Sequence, residues 1–599
     1  MGSLPTDNNI DNERFNNPIH HRRHIRIVCI GAGASGLLFA YKLRRSFDDF
    51  SLTIYEKNKG IAGTWFENRY PGCACDYPAH NYTYTFEPKP DWPSVYASGP
   101  EVRQYFEDFA AKYHLANYCK TSHKVTRAQW DQRTGHWWVD ACNLETKQTI
   151  KQECDILINA TGVLNKPQWP AIPGLHDFQG KLVHSADWDE SVDLKNKRIG
   201  LIGNGSSGQQ ILEAAQPIAS HLTSFIRQGA WTFGPFGPSA QRDYSPSEIE
   251  TFKTDPTALL SLRKASETRI NSSFPVFLSG NQAQAKLRSH LTTNMKSKLK
   301  DPALESILIP STGVGCRRPT PGINYLSALT APNVTIAYGP IAKITHHGAI
   351  SSSDPDLHHD LDVLVCATGF NSTYTPGFPI LNADNHNLQD RWAPERGRPA
   401  AYFATAIPDY SNYLTFFGPG NPWASGSFLA MIEAQAEYMM KLIDRYQSEN
   451  WLSFAPKVEA VDELMEYSTK ILKKTVWAEN CSSWYKQGLK CPAAGSELNN
   501  GDDEDATRQA AAESLTLWPG SGPHFIEALA ELRAEDWDIA YKGNRFAWLG
   551  DGFSRTEVDP ESDRAWYIRE RDEGPFLSRE KRRKVRTMKG ERGKWGMAI

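Results

Sequence analysis

The sequence predicts an α/β protein built on two Rossmann-like dinucleotide-binding domains, with a helical insertion and a C-terminal extension. Two glycine-rich loops predict it: GAGASG at Gly31–Gly36 and GNGSSG at Gly203–Gly208. Each follows an apolar run and precedes a helix-forming one. A third observation agrees. The apolar runs CDILINATG, ending at Gly162, and LDVLVCATGF, ending at Phe370, close on the same Ala-Thr-Gly turn, as a pair of interleaved dinucleotide domains would.

At 599 residues the chain has room for roughly four domain-sized units and large buried cores. Its 40% hydrophobic and 23% charged residues give the balance of an ordinary globular protein. A formal net charge of −3 makes no case for nucleic acid or an anionic membrane as partner. No apolar run approaches the ~20 residues of a membrane span. The polar opening MGSLPTDNNIDNERFNNP has no signal-peptide core, so a cytoplasmic location is expected. Cys29 in RIVCIG and Cys366 in VLVCATGF sit in apolar runs where a buried free thiol is the simpler account. Cys73-x-Cys75 lacks the spacing and the partner pair of a zinc knuckle, so a reducing compartment and no metal are expected. Asn204-Gly-Ser206 has the form of a glycosylation sequon, yet a glycan there would block the second glycine loop. Eighteen tryptophans suit either pockets for planar or apolar ligands or large aromatic cores.

In chain order, residues 1–24 are polar and Asn-rich and are expected to form a disordered arm. IRIVCIGAGASGLLFAYKLRRS then reads as strand, tight turn and helix. Gly31 makes the turn, Gly33 lets backbone N–H groups approach a pyrophosphate, and Gly36 permits close helix–strand packing; Ser35 lies in the same loop. The next strand, LTIYE, ends at Glu56, where an acid can accept hydrogen bonds from a ribose. From Pro100 to Leu115, Val102, Tyr105, Phe106, Phe109 and Tyr113 share one helical face. HKVTRAQWD, which contains Val125, and HWWVDAC alternate as in a β-meander.

The second loop repeats the first, with Gly203, Gly205 and Gly208 in the three glycine roles and Asn204, Ser206, Ser207, Gln209 and Gln210 around them. The following strand, HLTSFIRQG, ends in Arg227 and Gln228 rather than an acid. An arginine there pairs with a 2′-phosphate, which points to NADPH over NADH; the plain alternative is a surface arginine. Residues 241–310 turn polar and amphipathic and predict a helical insertion. FFGPGNPWASGSFLAMIEAQAEYMMKLIDRY places a glycine loop before a long amphipathic helix. The stretch 491–511 is acidic and is expected to be a disordered loop, and the basic tail around REKRRK is expected to be solvated.

Three motifs carry a resemblance. The linker FQGKLVHSADWD reads Phe178-x-Gly180-x-x-x-His184-x-x-x-Trp188-Asp189. AGTWFENRYPGCACD supplies Gly63, Trp65, Tyr70, Pro71, Gly72 and Asp76, and Tyr82 follows in NYTYTF. GVGCRRPTPGINY contributes Arg317 and Arg318 ahead of a tyrosine. Together they resemble the type I Baeyer–Villiger monooxygenases, over about residues 25–490. The segments LWPGSGPHFIEAL and NRFAWLGDG resemble the C-terminal extension of fungal members.

The resemblance implies that the first loop holds FAD, with Thr64, Trp65, Asp76, Tyr82 and Val125 near the flavin. It places Ala74, Cys75, Arg317 and Trp484 at NADP, Arg318 as the active-site arginine and Asp76 as its partner. Alone, Trp65 and Tyr70 would read as core packing and Arg317–Arg318 as a solvated basic pair. The implied domains are FAD-binding (25–165 and 366–475), NADPH-binding (166–240 and 311–365), the insertion (241–310) and an extension (476–599). The implied reaction inserts one oxygen atom of O2 beside a ketone carbonyl, giving an ester or lactone, on a bulky secondary-metabolite ketone. His184 and Trp188 are implied to couple domain movement rather than to do chemistry. The chain is expected to be a monomer or weak homo-oligomer. The alternatives are a flavin-dependent nitrogen- or sulfur-oxygenating monooxygenase, a flavin reductase and a non-enzymatic nucleotide-binding module.

Overall fold

Two all-parallel sheets organise the chain in a computed structural model that describes residues 14–233, 241–322, 324–487, 504–570 and 578–582. The first sheet runs in spatial order Tyr413–Thr415, Ile156–Asn159, Ile25–Ile30, Phe50–Tyr55 and Cys119–Lys120. The second runs Val334–Tyr338, His221–Ile226, Arg198–Ile202, Val363–Cys366 and Lys181–His184. Both faces of the parallel strands are covered, one of them by an antiparallel meander: Val125, Trp130 and Trp137 pack on Val28 and Ile30 of the first sheet, and Ile344 and Ala349 on Ile202 and Phe225 of the second. The strands are therefore apolar throughout; Val363, Leu364, Val365 and Cys366 are all buried. The chain leaves the first sheet after Asn159, builds the second, and returns after Cys366 to place Tyr413–Thr415. Both exits are the Ala-Thr-Gly turns.

Beside the first sheet, His123–Asp131, His136–Asn143 and Thr149–Cys154 form the antiparallel meander, and Ile380–Leu381 adds a fourth, parallel strand. A second meander, Ile341–Thr345, Gly348–Ser351 and Asp354–Asp360, has no counterpart in the sequence reading. Its first two strands are only five and four residues long and the third, Asp354–Asp360, is largely polar, so they carry little period-two signal. The helix Gly99–Lys112 starts on a Ser98/Glu101 capping box and buries Val102, Tyr105, Phe106 and Phe109. Four helices fill the stretch 246–308: Pro246–Thr254, Pro256–Asn271, Gln282–Leu299 and Pro302–Leu308. Ser245, Asp255, Asn281 and Asp301 each accept a backbone N–H at their N-termini.

The chain divides into two units. One gathers residues of Met1–Arg22, Ser448–Asn450 and Tyr541–Ile599; the other, Arg23–Gln447 and Trp451–Ala540, carries both sheets. Three expectations change here. Of the arm expected to be disordered, residues 14–24 take defined positions; residues 1–13 lie outside the described residues. Arg14 is buried and donates to the carbonyls of His21, Ser448 and Glu449, partners that composition does not reveal. Of the expected acidic loop, residues 504–511 belong to the helix Glu504–Ser514, while 491–503 lie outside the described residues. In that helix Ala511 and Ala512 pack into an apolar cluster with Leu472 and Trp477, which outweighs the local polarity. Cys29 and Cys366 are unpaired and buried as expected, but Cys316 and Cys481 form a disulfide. Among the described residues no helix is long and apolar enough to cross a membrane.

One ion pair ties the first sheet to its meander. Asp155 accepts from the Arg26 backbone N–H at 2.7 Å and from its guanidinium at 2.9 and 3.2 Å, and His136 stands 3.2 Å away. Burial alone would raise the Asp155 pKa, but His136 and Arg26 outweigh it and hold the carboxyl below the usual aspartate range. Its contribution to stability is therefore complete above about pH 4, the ordinary aspartate value, and fades as pH falls toward the depressed native value. Asp155→Asn should lower the unfolding free energy in urea by about 2 kcal/mol at neutral pH, because it removes the charged acceptor of the Arg26 backbone N–H and guanidinium and leaves Glu153, 2.9 Å away, as the remaining counter-charge. The deficit should shrink on acidification.

Candidate active site

Both glycine loops open into one cleft of about 1490 Å³. Their geometry is a repeat. Gly31 and Gly203 each take φ of +105°, and a Cβ on either would stand 2.5 Å from the carbonyl oxygen of Ala160 or Ala367, in the paired Ala-Thr-Gly turns. A Cβ on Gly36 would lie 2.0 Å from the Gly31 oxygen, and one on Gly208 2.2 Å from the Gly203 oxygen, so only glycine lets helix and strand approach this closely. The two helices that follow, Ala34–Ser46 and Ser206–Ala215, have Gly33 and Gly205 at their N-caps, no side-chain cap and no acid in the first turn. Two helix starts thus present backbone N–H groups with no side-chain cap among the described residues, the arrangement that binds phosphate.

Glu56 follows the strand Phe50–Tyr55 directly and lies on the cleft wall, buried, with Oε2 accepting from the Ala32 N–H at 2.8 Å and Oε1 from the Asn58 N–H at 2.9 Å. Burial raises its pKa and those two amides oppose the rise. The segment from Gly63 to Asp76 crosses from the first loop to the second. Trp65 Nε1 donates to the Tyr82 hydroxyl at 3.3 Å, and Tyr70 donates to Gln210 Oε1 at 2.8 Å. Gln210 Nε2 in turn donates to the Ala74 carbonyl at 3.0 Å. Gly33, Gly63, Thr64, Trp65, Ala74, Tyr82 and Val125 all face the cleft, as do Gly31 and Ser35.

On the opposite side, Asn204, Gly205, Ser206, Ser207, Gln210, Arg227, Gln228 and Arg317 line the cleft, and Asn204 donates to the Gln228 carbonyl at 2.8 Å. Arg227 stands exposed just past the strand His221–Ile226, while Arg317 hangs over Gly205. Burial, and then the like charge of Arg227, pull the Arg317 pKa down. Two guanidinium groups held this way favour an anion between them.

Arg318 and Asp76 meet between the two halves. Arg318 Nη2 donates to Asp76 Oδ2 at 2.6 Å, its Nε to the same oxygen at 3.3 Å, and Nη1 to the Trp423 carbonyl at 3.3 Å. Burial works against the Arg318 charge, but Asp76, Tyr485 and Tyr77 raise its pKa, so the cation is permanent. Around it stands an aromatic wall: Phe417 stacks on Trp423 at 4.6 Å and on Phe428 at 4.2 Å, and Trp484 meets Trp423 edge-on at 5.5 Å. Trp423 Nε1 is fixed by the Tyr374 hydroxyl at 3.0 Å. Sequence reading missed Phe417, Trp423, Phe428, Tyr374 and Tyr485. Phe417, Trp423 and Phe428 lie in the stretch it did quote ahead of and at the start of the helix Phe428–Ser448, but nothing local said that their rings face the arginine. Among the described residues no group of histidines, cysteines and acids could hold a metal ion.

Not every predicted residue reaches the cleft. Gly36 and Gly208 act by packing, Gln209 turns back to the Asn204 carbonyl at 3.1 Å, and Cys75 is buried with its N–H donated to Ala97. None of the five linker residues lines it. Phe178 packs in the core over Gly180, where a Cβ would strike its ring at 2.6 Å. Trp188 belongs to the buried cluster that also holds Tyr70 and Cys73. Asp189 caps its own turn on Ser191 and pairs with Lys181 at 2.5 Å. His184 Nδ1 accepts the Ala186 N–H at 3.1 Å, which leaves the proton on Nε2, 3.2 Å from Thr368 Oγ1. Burial lowers its pKa, so the ring is neutral. Thr368 and Trp169, the latter edge-on to His184 at 5.1 Å, do line the cleft.

A family model for the NAD(P)-binding Rossmann-like domain matches residues 29–98. The FAD-binding monooxygenase tazF of Aspergillus terreus is 36% identical over 91% of this chain and 95% of its own length. A Baeyer–Villiger monooxygenase of Streptomyces coelicolor is 30% identical over 86% of this chain and 93% of its own. A crystal structure of cyclohexanone monooxygenase from Rhodococcus sp. Phi1 bound to NADP+ superposes with a TM-score of 0.71 at 23% identity. It covers 87% of this chain and 100% of that one, and it shares the fold.

The Tyr70–Gln210 hydrogen bond bears on the placement of the bridging segment. Tyr70→Phe should cost about 1–2 kcal/mol of stability in denaturant unfolding, since a part-buried amide oxygen loses its donor. Gln210→Ala should cost more, because the Ala74 carbonyl loses its donor as well.

Proposed function

This chain belongs to the Baeyer–Villiger group of FAD-binding monooxygenases, and from that premise we propose that it uses FAD and NADPH to insert one oxygen atom of O2 beside the carbonyl of a bulky organic ketone. The single observation that carries the reading is the Arg318–Asp76 pair, held in the one cleft that both uncapped glycine loops share. A nitrogen- or sulfur-oxygenating relative would have no use for a fixed cation beside a carbonyl.

The residues present fit both cofactors. FAD would lie on the first loop, its pyrophosphate at the start of the helix Ala34–Ser46, its ribose at Glu56 and its ring system along Trp65, Tyr82 and Val125. NADPH would lie on the second loop at the start of the helix Ser206–Ala215, its 2′-phosphate between Arg227 and Arg317 and its nicotinamide end toward Trp484. The domains would accordingly be 25–165 with 366–475 for FAD and 166–240 with 311–365 for NADPH. Bound FAD would supply hydride acceptance and the activation of O2.

The protein's share is charge and shape. As a nucleophilic oxygen adds to the ketone, negative charge grows on the former carbonyl oxygen. Arg318 sets a guanidinium there that has no proton to lose, and Asp76 holds its plane in a single orientation. Phe417, Trp423, Phe428 and Trp484 present flat apolar surface, which favours a large hydrophobic ketone and excludes water from the reacting carbonyl. His184 would act at one remove, keeping Thr368 and Trp169 in place on the cleft wall.

Two outcomes test this reading. Arg227→Ala should raise the KM for NADPH strongly and leave that for NADH nearly unchanged, since only the 2′-phosphate loses a partner. Equal losses with both nucleotides would remove the case for NADPH. Arg318→Ala should keep FAD bound yet lower ester or lactone formation at least ~10²-fold, the effect of losing a stabiliser worth ~3 kcal/mol. NADPH oxidation should then continue slowly with hydrogen peroxide as product. Asp76→Ala should fall between the two, because the charge stays while its orientation is lost. Near-parental product per NADPH in Arg318→Ala would make that residue a bystander.

A further inference from the structure

The chain leading into Arg318 and the chain leading into Trp484 run side by side, and a disulfide joins them just outside the cleft. Gly313 donates its N–H to Glu479 Oε2 at 2.6 Å. Cys316, fully buried, is bonded to Cys481, which is partly exposed, across 165 residues of sequence. The next residues after Cys316 are Arg317 and Arg318. Cys481 is followed by Ser482, Ser483 and Trp484 on the cleft wall, and then by Tyr485 beside Arg318. The Lys486 ammonium stands 3.7 Å from Cys481 Sγ and 4.0 Å from Cys316 Sγ, and it donates to the Glu479 and Cys481 carbonyls.

We propose that the Cys316–Cys481 disulfide is a thiol-exchange site that sets how tightly the cleft holds its nicotinamide nucleotide. The proposal rests on the placement of that nucleotide between Arg317 and Trp484 given above. With the bond made, both walls of that subsite are covalently one piece. With the bond broken, non-covalent contacts alone hold the walls together, among them the Gly313–Glu479 hydrogen bond and the Lys486 contacts, and the nucleotide must order them on binding.

The exchange partner is a small or protein dithiol. Its thiolate attacks Cys481 Sγ, the more accessible sulfur; a mixed disulfide forms, the Sγ–Sγ bond breaks and Cys316 leaves as a thiolate. The second thiol of the reductant, as its thiolate, then attacks the mixed disulfide, closes its own disulfide and releases the Cys481 thiolate. Two electrons pass from dithiol to protein, and each cysteine thiolate takes up one proton. Lys486 lies within reach of both sulfurs and stabilises the leaving thiolate, which favours exchange at this bond. A bond that served only as a staple would need neither the cation nor a position at the cleft wall.

The test uses the FAD-loaded full chain. Free thiols are blocked with iodoacetamide and the protein is digested without reductant. A peptide pair joined through Cys316 and Cys481 should appear and should separate on treatment with dithiothreitol. The Kd for NADP+, from titration of the flavin absorbance, should rise about fivefold on reduction of the parental protein. Cys316→Ser/Cys481→Ser should match the reduced protein, with FAD retained in both. Absence of the joined pair overturns the proposal. So does an unchanged NADP+ Kd on reduction, with only a lower Tm, which is the signature of a plain staple. These readouts need no oxygenated product, so a failure to oxidise ketones would sink the functional reading while this one is still decided.

Discussion

Two helix N-termini without caps, aimed into one cleft, are the constraint on which the rest of the structure depends. An exposed helix start is ordinarily closed by a serine, threonine, asparagine or aspartate, and the insertion helices beginning at Pro246, Pro256, Gln282 and Pro302 all follow that rule. The helices after Gly33 and Gly205 break it. Their N–H groups, uncapped among the described residues, and their positive dipole ends carry a cost that an anionic ligand offsets. Placing such ends against a strand terminus demands contact distances only glycine allows. Gly31 and Gly203 therefore share the same φ, and Gly36 and Gly208 the same close approach to the loop carbonyl.

The bridging segment Gly63–Asp76 turns two such loops into one site. It begins against the first loop, is pinned through Tyr70 and Ala74 to Gln210 on the second helix, and ends at Asp76. Its aromatic and sulfur side chains enter the core cluster that also buries Trp188. The linker motif thereby acts on the cleft through packing. His184 extends the same logic, since a neutral ring with both nitrogens committed fixes Thr368 at the wall without presenting a charge to it.

At the meeting point the electrostatics are arranged around one cation. Burying a guanidinium is costly, and the nearby Asp76 carboxylate offsets that cost. The arginine thus remains charged in surroundings where a lysine would tend to give up its proton. Trp423 contributes its carbonyl to the arginine and its ring to the aromatic wall. The position of the cation and the shape of the apolar surface beside it are therefore set by the same residue.

The sequence by itself determined what depends on local chemistry. Glycine spacing, apolar runs and the acid or arginine at a strand end lie within a few residues of one another, so both dinucleotide loops and their parallel strands were legible. The motifs added Asp76 and Arg318 as a pair, 242 positions apart. Only the tertiary structure decided which side chains share the cleft. It turned Cys75 and Gln209 inward, set Phe178, His184 and Trp188 of the linker motif in the core and gathered Phe417, Trp423 and Phe428 about the arginine. It also joined Cys316 to Cys481 and gave Arg14 and the helix Glu504–Ser514 partners that their composition conceals. The physical reason is common to all of these: burial and pairing are properties of contacts between distant segments, and no local pattern encodes which distant segment arrives.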